Sequence, residues 1–332
     1  MQSNGNAVSA GTVRRGGIEW RNLNGSVIGG IAALHVIALG AFLPQLFSWS
    51  GLALMCFFMW VSGGLGITLC YHRLLTHRSF RTPRWMEIFL TLCASLAWQG
   101  GPITWVGVHR LHHKHSDAPL DPHSPTHGFT WAHILWTLHQ RLEGIYGPDA
   151  AKDLQRDPAM RWIDRWFFLP QFALAAAMFG IGYAIGGPML GLSWIVWGIA
   201  LRTVLMYHGT WFVNSAAHTW GYQNYRETGE KSTNLWWVAL VSFGEGWHNN
   251  HHAHPRSAAH GLRWFEFDLT WWTIRLMSYV GLASDLHLPQ PEDMPAAKGL
   301  KPAPAVKEVA PSPAESGSVA AALTGAFPAV EP

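Results

Sequence analysis

The sequence predicts an all-α membrane protein: four transmembrane helices in two hairpins, with a cytoplasmic helical cap that carries a histidine-rich dinuclear metal site. Three observations lead there. The chain of 332 residues is 49% hydrophobic and only 13% charged, against roughly 25% charged in soluble domains. Its long apolar stretches come in pairs joined by short connections without a charge. The spacing H-x-x-H-H occurs twice, as His109, His112 and His113 in HRLHHKHSD and as His248, His251 and His252 in WHNNHH.

Composition also excludes several classes. A net charge of +3 is too small to argue for a nucleic-acid partner. Cys56, Cys70 and Cys93 lie in or beside apolar runs without C-x-x-C spacing, against both a disulfide framework and a thiolate metal site. Trp20, Trp49, Trp60, Trp166 and Trp194 fall where apolar runs end, and amphipathic rings collect at that depth of a bilayer.

Residues 1–26 form a polar segment with Arg14, Arg15 and Arg21 ahead of the first apolar run. That run is long and no small-residue site closes it, so a signal peptide is not expected. The membrane domain is expected over 27–287. Its first span, about 27–47, has the roughly 20 residues a crossing needs. Pro44 and a turn near Ser48 to Gly51 lead to the second, 52–70. The connection carries no charge, whereas arginines precede span one and Arg73, Arg78, Arg81 and Arg84 follow span two. The positive-inside rule puts both ends in the cytoplasm, in a bacterial inner membrane or another cytoplasm-facing one.

Met86 to Trp98 is apolar but too short to span, and Gln99 to Pro102 stop it. A helix at the interface or against the cap is expected, with a re-entrant segment as the alternative. The second hairpin runs over 167–186, turns at Gly187 and Pro188, and returns over 189–211. The even count places both termini and every histidine-rich segment on one side. Arg202 lies inside the fourth span, where a charge is functional, paired, or bonded to a helix-end carbonyl. From 288 to 332 the Pro/Ala-rich tail is expected to be disordered.

On a helix, an offset of three lies about 60° behind the first residue and an offset of four about 40° ahead. Each triplet is therefore a set of nitrogen ligands on one face. Two copies favour metal binding over solvated histidine-rich turns. His72 and His77 are five apart, about 140° around an ideal helix, so they are expected to face different ways, and each can serve a different metal. Asn214 and His218 are an i, i+4 pair on one face. Nine histidines and an asparagine make two metals the economical reading, and imidazole suits iron, zinc, copper or nickel alike.

A soluble di-iron carboxylate site needs two Glu-x-x-His pairs, and only Glu245 with His248 qualifies. Glu245, and Asp117 or Asp121, are better read as acceptors for imidazole N–H groups. The remaining histidines lack ligand spacing. His35 is expected as a hydrogen-bonded histidine of the first span, and His115 and His254 as supports beside the triplets.

The segments GITLCYHRLLTHRSFRTP, WVGVHRLHHKHSD, DPH at Asp121 to His123, TWFVNSAAH and GEGWHNNHHAHP resemble the membrane-bound fatty acid desaturase family, and within it the stearoyl-type delta-9 branch. The resemblance covers about Gly66 to His254. It implies two non-haem iron ions held by His72, His77, His109, His112, His113, His218, His248, His251 and His252, with Asn214 acting through a water. It also implies an oxygen-dependent 9,10-dehydrogenation that leaves a cis double bond. An unactivated CH2 offers no acid for a side-chain base, so an oxidant drawn from O2 is required. The family's bent apolar tunnel makes Trp98, Trp105 and Trp211 candidate lining residues.

Gly107 and Val108 stand where the vertebrate acyl-CoA enzymes carry an Arg-Asp pair. The surrounding QGGPITWVGVHRLHH is more similar to cyanobacterial enzymes, which favours an acyl-lipid over an acyl-CoA substrate. No His-Pro-Gly-Gly motif is present, so no fused cytochrome b5 domain is expected. Electrons would come from an external carrier, a ferredoxin or a cytochrome b5-type protein. The competing readings are a hydroxylase or alkane-type monooxygenase of the same histidine-box superfamily, and a membrane metal transporter or sensor. The spans hold few ligands for the latter.

Overall fold

The computed structural model describes residues 20–139, 147–227 and 229–294. The polar segment before Trp20 and the tail from residue 295 lie outside the described residues. Among those described there is no β-strand, only four isolated bridges. Three helices are long and apolar enough to cross a membrane: Gly25–Phe42, Trp49–Thr76 and Leu169–His218.

Helix α1, Gly25–Ala38, starts where the Asn24 side chain accepts from the Val27 N–H, one of the donors a helix start leaves unpaired. In its last turn His35 Nε2 lies 3.2 Å from His208 Nε2. The other nitrogen of His208 is 3.0 Å from His133 Nε2, so three histidines tie α1 to the fourth apolar stretch and to the short helix Phe129–His133. Ser48 caps helix α2, Trp49–Met59, by accepting from Gly51. The helix then continues with π-type hydrogen bonding through Trp60–Thr76. It runs past Cys70, where the second span was expected to end, and so carries His72.

Helix α3, Arg84–Ser95, exposes Trp85 and Phe89 and buries Leu90, Cys93 and Ala94. It packs on the preceding helix so closely that a Cβ at Gly66 would lie 2.5 Å from the Ala94 Cα. A left-handed turn follows, with φ of 57° at Trp98 and 102° at Gly100. Two side chains clamp this turn: Arg202 donates to the Leu96 carbonyl at 2.8 Å and the Tyr207 hydroxyl to the Trp98 carbonyl at 2.9 Å. Arg202 is fully buried and also bonds the Gly198 carbonyl, Ser62 and Gln171. The charge thus meets a helix-end carbonyl and neutral oxygens.

Helix α4, Pro102–His115, begins where Asp164 accepts from the N–H groups of Ile103 and Thr104. Helix α5, Leu169–Trp194, is broken at Gly186 (φ −142°, ψ 21°) and Gly187 (φ 75°, ψ −173°), the second in a conformation that glycine adopts readily. The chain reverses there. The Gln171 amide reaches Thr203 at 3.1 Å, and a Cβ at Gly182 would lie 2.9 Å from the Gly191 Cα. After a π-type stretch, Ile195–Leu201, comes helix α6, Arg202–Ser215.

Helix α7, His248–Ala253, is short, and the buried Asn234 side chain accepts from its Asn249 and Asn250 N–H groups at 3.1 and 3.2 Å. Asp268 caps helix α8, Leu269–Tyr279. The folded part continues past residue 288, where the tail was expected to begin, because Tyr225 donates to the Asp293 carbonyl at 2.9 Å. The main core joins the π-type run to α3, α4 and α8 through Leu69, Leu75, Leu90, Val106, Met206 and Ile274.

Gly66→Ala should destabilise the protein by about 1–3 kcal/mol, because the obstacle is the backbone of α3. Gly29→Ala, whose Cβ meets nothing within 4 Å, should not. Thermal unfolding of the two variants in detergent measures the difference.

Candidate metal centre

The π-type run ends at His77, whose N–H bonds the His72 carbonyl at 3.2 Å. That i to i+5 bond widens the last turn and corrects the expectation that the two histidines face apart. Their ring centroids are 4.8 Å apart, and both join one cluster. Ligand nitrogens of His72, His77, His109, His113 and His251 lie within 4.8 Å of one another, and those of His112, His218, His248 and His252 do the same. His218 arrives on the turn Ala216–His218 that ends α6.

Both triplets are divided between the clusters, reciprocally. Helix α4 gives its i, i+4 pair, His109 and His113, to the five-histidine set and His112 to the other. Helix α7 gives its i, i+4 pair, His248 and His252, to the four-histidine set and His251 to the first. Residues four apart share a direction more closely than either does with the residue between them, which explains the split. The sets touch, with His113 stacked on His252 at 4.6 Å between centroids.

Carboxylates on the rim lie against the outward ring nitrogens, and Asp121 hydrogen-bonds His112 there. Glu245 lies 2.5 Å from His72 Nδ1, Asp121 3.0 Å from His112 Nδ1, Asp117 3.2 Å from His218 Nδ1, and Glu230 2.5 Å from His252 Nδ1. An imidazole that donates from Nδ1 turns a bare Nε2 lone pair inward. Burial pushes His77, His109, His113, His248, His251 and His252 well below the usual imidazole range, so these rings are neutral. Burial raises the Glu245 carboxyl, but His72, His260 and Arg73 outweigh it and hold the group well below the usual range.

This donor set fits metal ions. His72 and His251 Nε2 are 3.1 Å apart, and His112 and His252 Nε2 3.3 Å, distances at which two facing lone pairs repel unless a cation lies between them. Asp117, Asp121 and Glu245 are held below the usual carboxylate range, and divalent cations between the rings would offset their negative charge. The nearby Arg73 donates both to Glu245, at 3.1 and 3.3 Å, and in a two-pronged bond to Asp268 at 2.9 and 3.0 Å. Burial pushes Glu230 up to about 7, so a neighbouring cation would favour its ionised form.

Two participants had no sequence signal. His260, fully buried, holds its ring tilted at 35° and 4.4 Å from that of His251 and places Nδ1 3.2 Å from Glu245. Glu230 comes from a loop. His123 could have been found in its DPH motif: it lies 4.3 Å from the His112 ring and its N–H donates to Asp121. His254, expected beside its triplet, packs against Tyr225.

A cavity of about 660 Å³ reaches His109 and His123 and is lined by Trp98, Trp105, Tyr207, Trp211 and Asn214 among others. Among the described residues, no lysine, arginine, aspartate or glutamate lines it. Its size is within the roughly 300–1,000 Å³ of ligand pockets. Position 107 is closed to any side chain, since a Cβ there would overlap the Gly147 carbonyl.

Fold and site together define a membrane protein with two buried histidine clusters beside an uncharged cavity. The profile of the fatty acid desaturase family matches residues 29–282. A protein of Anabaena variabilis named sn-1 stearoyl-lipid 9-desaturase is 49% identical over 255 residues, 77% of this chain and 90% of the relative. An sn-2 palmitoyl-lipid 9-desaturase of Nostoc is 46% identical over 78% of this chain and 88% of its own. An acyl-CoA C20 Delta5-desaturase of Anemone leveillei is 42% identical over 78% and 80%. The chain belongs to the fatty acid desaturase family and is an enzyme of that type.

Glu245→Gln should weaken metal binding at the five-histidine set, and Asp121→Asn at the four-histidine set, each by roughly 10–100-fold. Metal analysis after dialysis should then fall from two ions per chain towards one. Two retained ions in both variants would refute the rim's role.

Proposed function

We propose that this protein is an oxygen-dependent delta-9 desaturase that places a cis double bond in a saturated acyl chain carried by a membrane lipid. The observation that carries the reading is the pairing of two all-nitrogen clusters with an uncharged cavity that ends at one of them. The proposed ligands are His72, His77, His109, His113 and His251 for one iron, and His112, His218, His248 and His252 for the other, with Asn214 acting through a water. When bound, the irons supply the O2-dependent oxidising power that removes two hydrogens from an unactivated CH2–CH2 unit.

The protein's own residues bind, align and keep the site dry. Trp98, Trp105 and Trp211 wall the cavity. The Gln99 amide donates to Thr210 at 2.9 Å and the Trp105 indole to Gln99 at 3.4 Å, which holds the wall in register with His109. Depth from the rim to His109 would select the carbon pair. Each O2 needs two further electrons and two protons, from a separate ferredoxin or cytochrome b5-type carrier.

The topology that fits is four spans in two hairpins, 27–47, 52–70, 167–186 and 189–211, within a membrane domain that follows the polar segment 1–26 and extends past residue 287 to at least Asp293, ahead of the tail. Both termini and both clusters would face the cytoplasm. The reversal at Gly187 supports the second hairpin, and the arginines flanking the first support the orientation.

Expression in a host lacking this activity should add cis-9 monounsaturated chains, read by gas chromatography with mass detection. Products heavier by one oxygen would favour the hydroxylase reading, and an unchanged profile from iron-loaded protein would discard the proposal. His251→Ala should drop product to background and lower metal content.

A further inference from the structure

The cavity has a buried floor and an exposed rim. Trp211 in its floor is 4% exposed, whereas Phe172 at the start of α5 is 56% exposed. Across from Phe172 the wall is the first two turns of α1, where Val27, Gly30 and Ile31 share one helix face and Ser26 is exposed. Helix α1 packs on Ile195–Leu201, on α6 and on the turn Leu135–Leu138. The cavity lies in the gap between its first two turns and the start of α5, both of which line it.

The gap also lies at a particular depth. Exposed Trp20 precedes α1 and Trp166 precedes α5, and such rings gather at the level of lipid headgroups. A chain already in the bilayer would reach the floor without crossing water. Near the rim the described lining offers Asn24, Ser26 and Thr137, beside His139, and among the described residues no lysine or arginine. These side chains suit ester and glycerol oxygens, whereas the phosphates of a CoA carrier call for cationic partners.

We propose that the acyl chain of a bilayer glycerolipid enters sideways through the gap between α1 and α5, and that Gly30 keeps this portal open. The substrate class rests on the desaturase reading, but the route does not. A Cβ at Gly30 meets nothing within 4 Å, so a large side chain would fill the gap without disturbing the fold. Gly29 is equally open but exposed and is not among the cavity's lining residues.

The test uses the full chain in phosphatidylcholine vesicles containing a phosphatidylcholine with a diazirine on its acyl chain. A diazirine-bearing acyl-CoA is added from water in a parallel sample. After illumination, labelled peptides are mapped by mass spectrometry. The lipid probe should label the peptides of Trp98 and Trp211. Gly30→Trp and, independently, Val27→Trp should cut that labelling at least roughly ten-fold, with metal content unchanged, while Gly29→Trp leaves it intact. Labelling that survives both plugs, or cavity labelling by the CoA probe that matches the lipid probe, would overturn the portal. A cavity labelled through the gap in a protein that makes no double bond would keep the portal and discard the desaturase reading. Double bonds formed with both plugs in place would do the reverse.

Discussion

Nine imidazoles turned inward in a dry space repel one another through their lone pairs, and much of the structure answers that constraint. Outside the ring, Asp121 accepts from His112 Nδ1, which commits its Nε2 to the interior, and Glu245, Asp117 and Glu230 lie beside the Nδ1 atoms of His72, His218 and His252. Arg73 keeps Glu245 ionised and is itself saturated by Asp268. Asn234 and Asn250 brace the short α7 that carries three of the rings, with Asn250 also bonded to Glu266 and the His260 carbonyl. An apolar core of the same size would need none of these buried polar groups, each of which costs free energy unless it is partnered.

The parts of this site that follow from helical periodicity were legible in the sequence. The two H-x-x-H-H triplets and the Asn214/His218 spacing named the helices that converge, and the uncharged Gly187–Pro188 turn located the reversal between the last two apolar runs. What escaped depends on departures from the ideal helix or on loops. His72 and His77 meet because the helix they end is π-bonded, and nothing in YHRLLTH announces that. His260 and Glu230 enter from irregular chain, where spacing carries no directional information. The reciprocal division of the triplets is implicit in their angles but needs the partner helix to become visible.

Gly107 shows how one residue can be read in two ways. As a sequence position it marks the loss of a charged group that grips a carrier. In three dimensions it is the contact by which α4 lies against the Gly147 carbonyl, with no room for a side chain of any kind. The uncharged lining continues that theme, since Trp98 is held in its left-handed turn by Arg202 and Tyr207 from behind the wall. The charge of Arg202 therefore shapes the cavity without entering it.

The π-type run Trp60–Thr76 has a consequence for how such a chain can vary over time. Each residue of an α-helix advances the direction of the next by about 100°, and a π turn holds one residue more than an α turn would. Losing a single residue from this stretch would let it relax to ordinary α geometry and swing everything after it by about that angle, carrying His77 away from His72. The segment can therefore drift in composition far more freely than in length, and a one-residue deletion there would be a larger event than most substitutions.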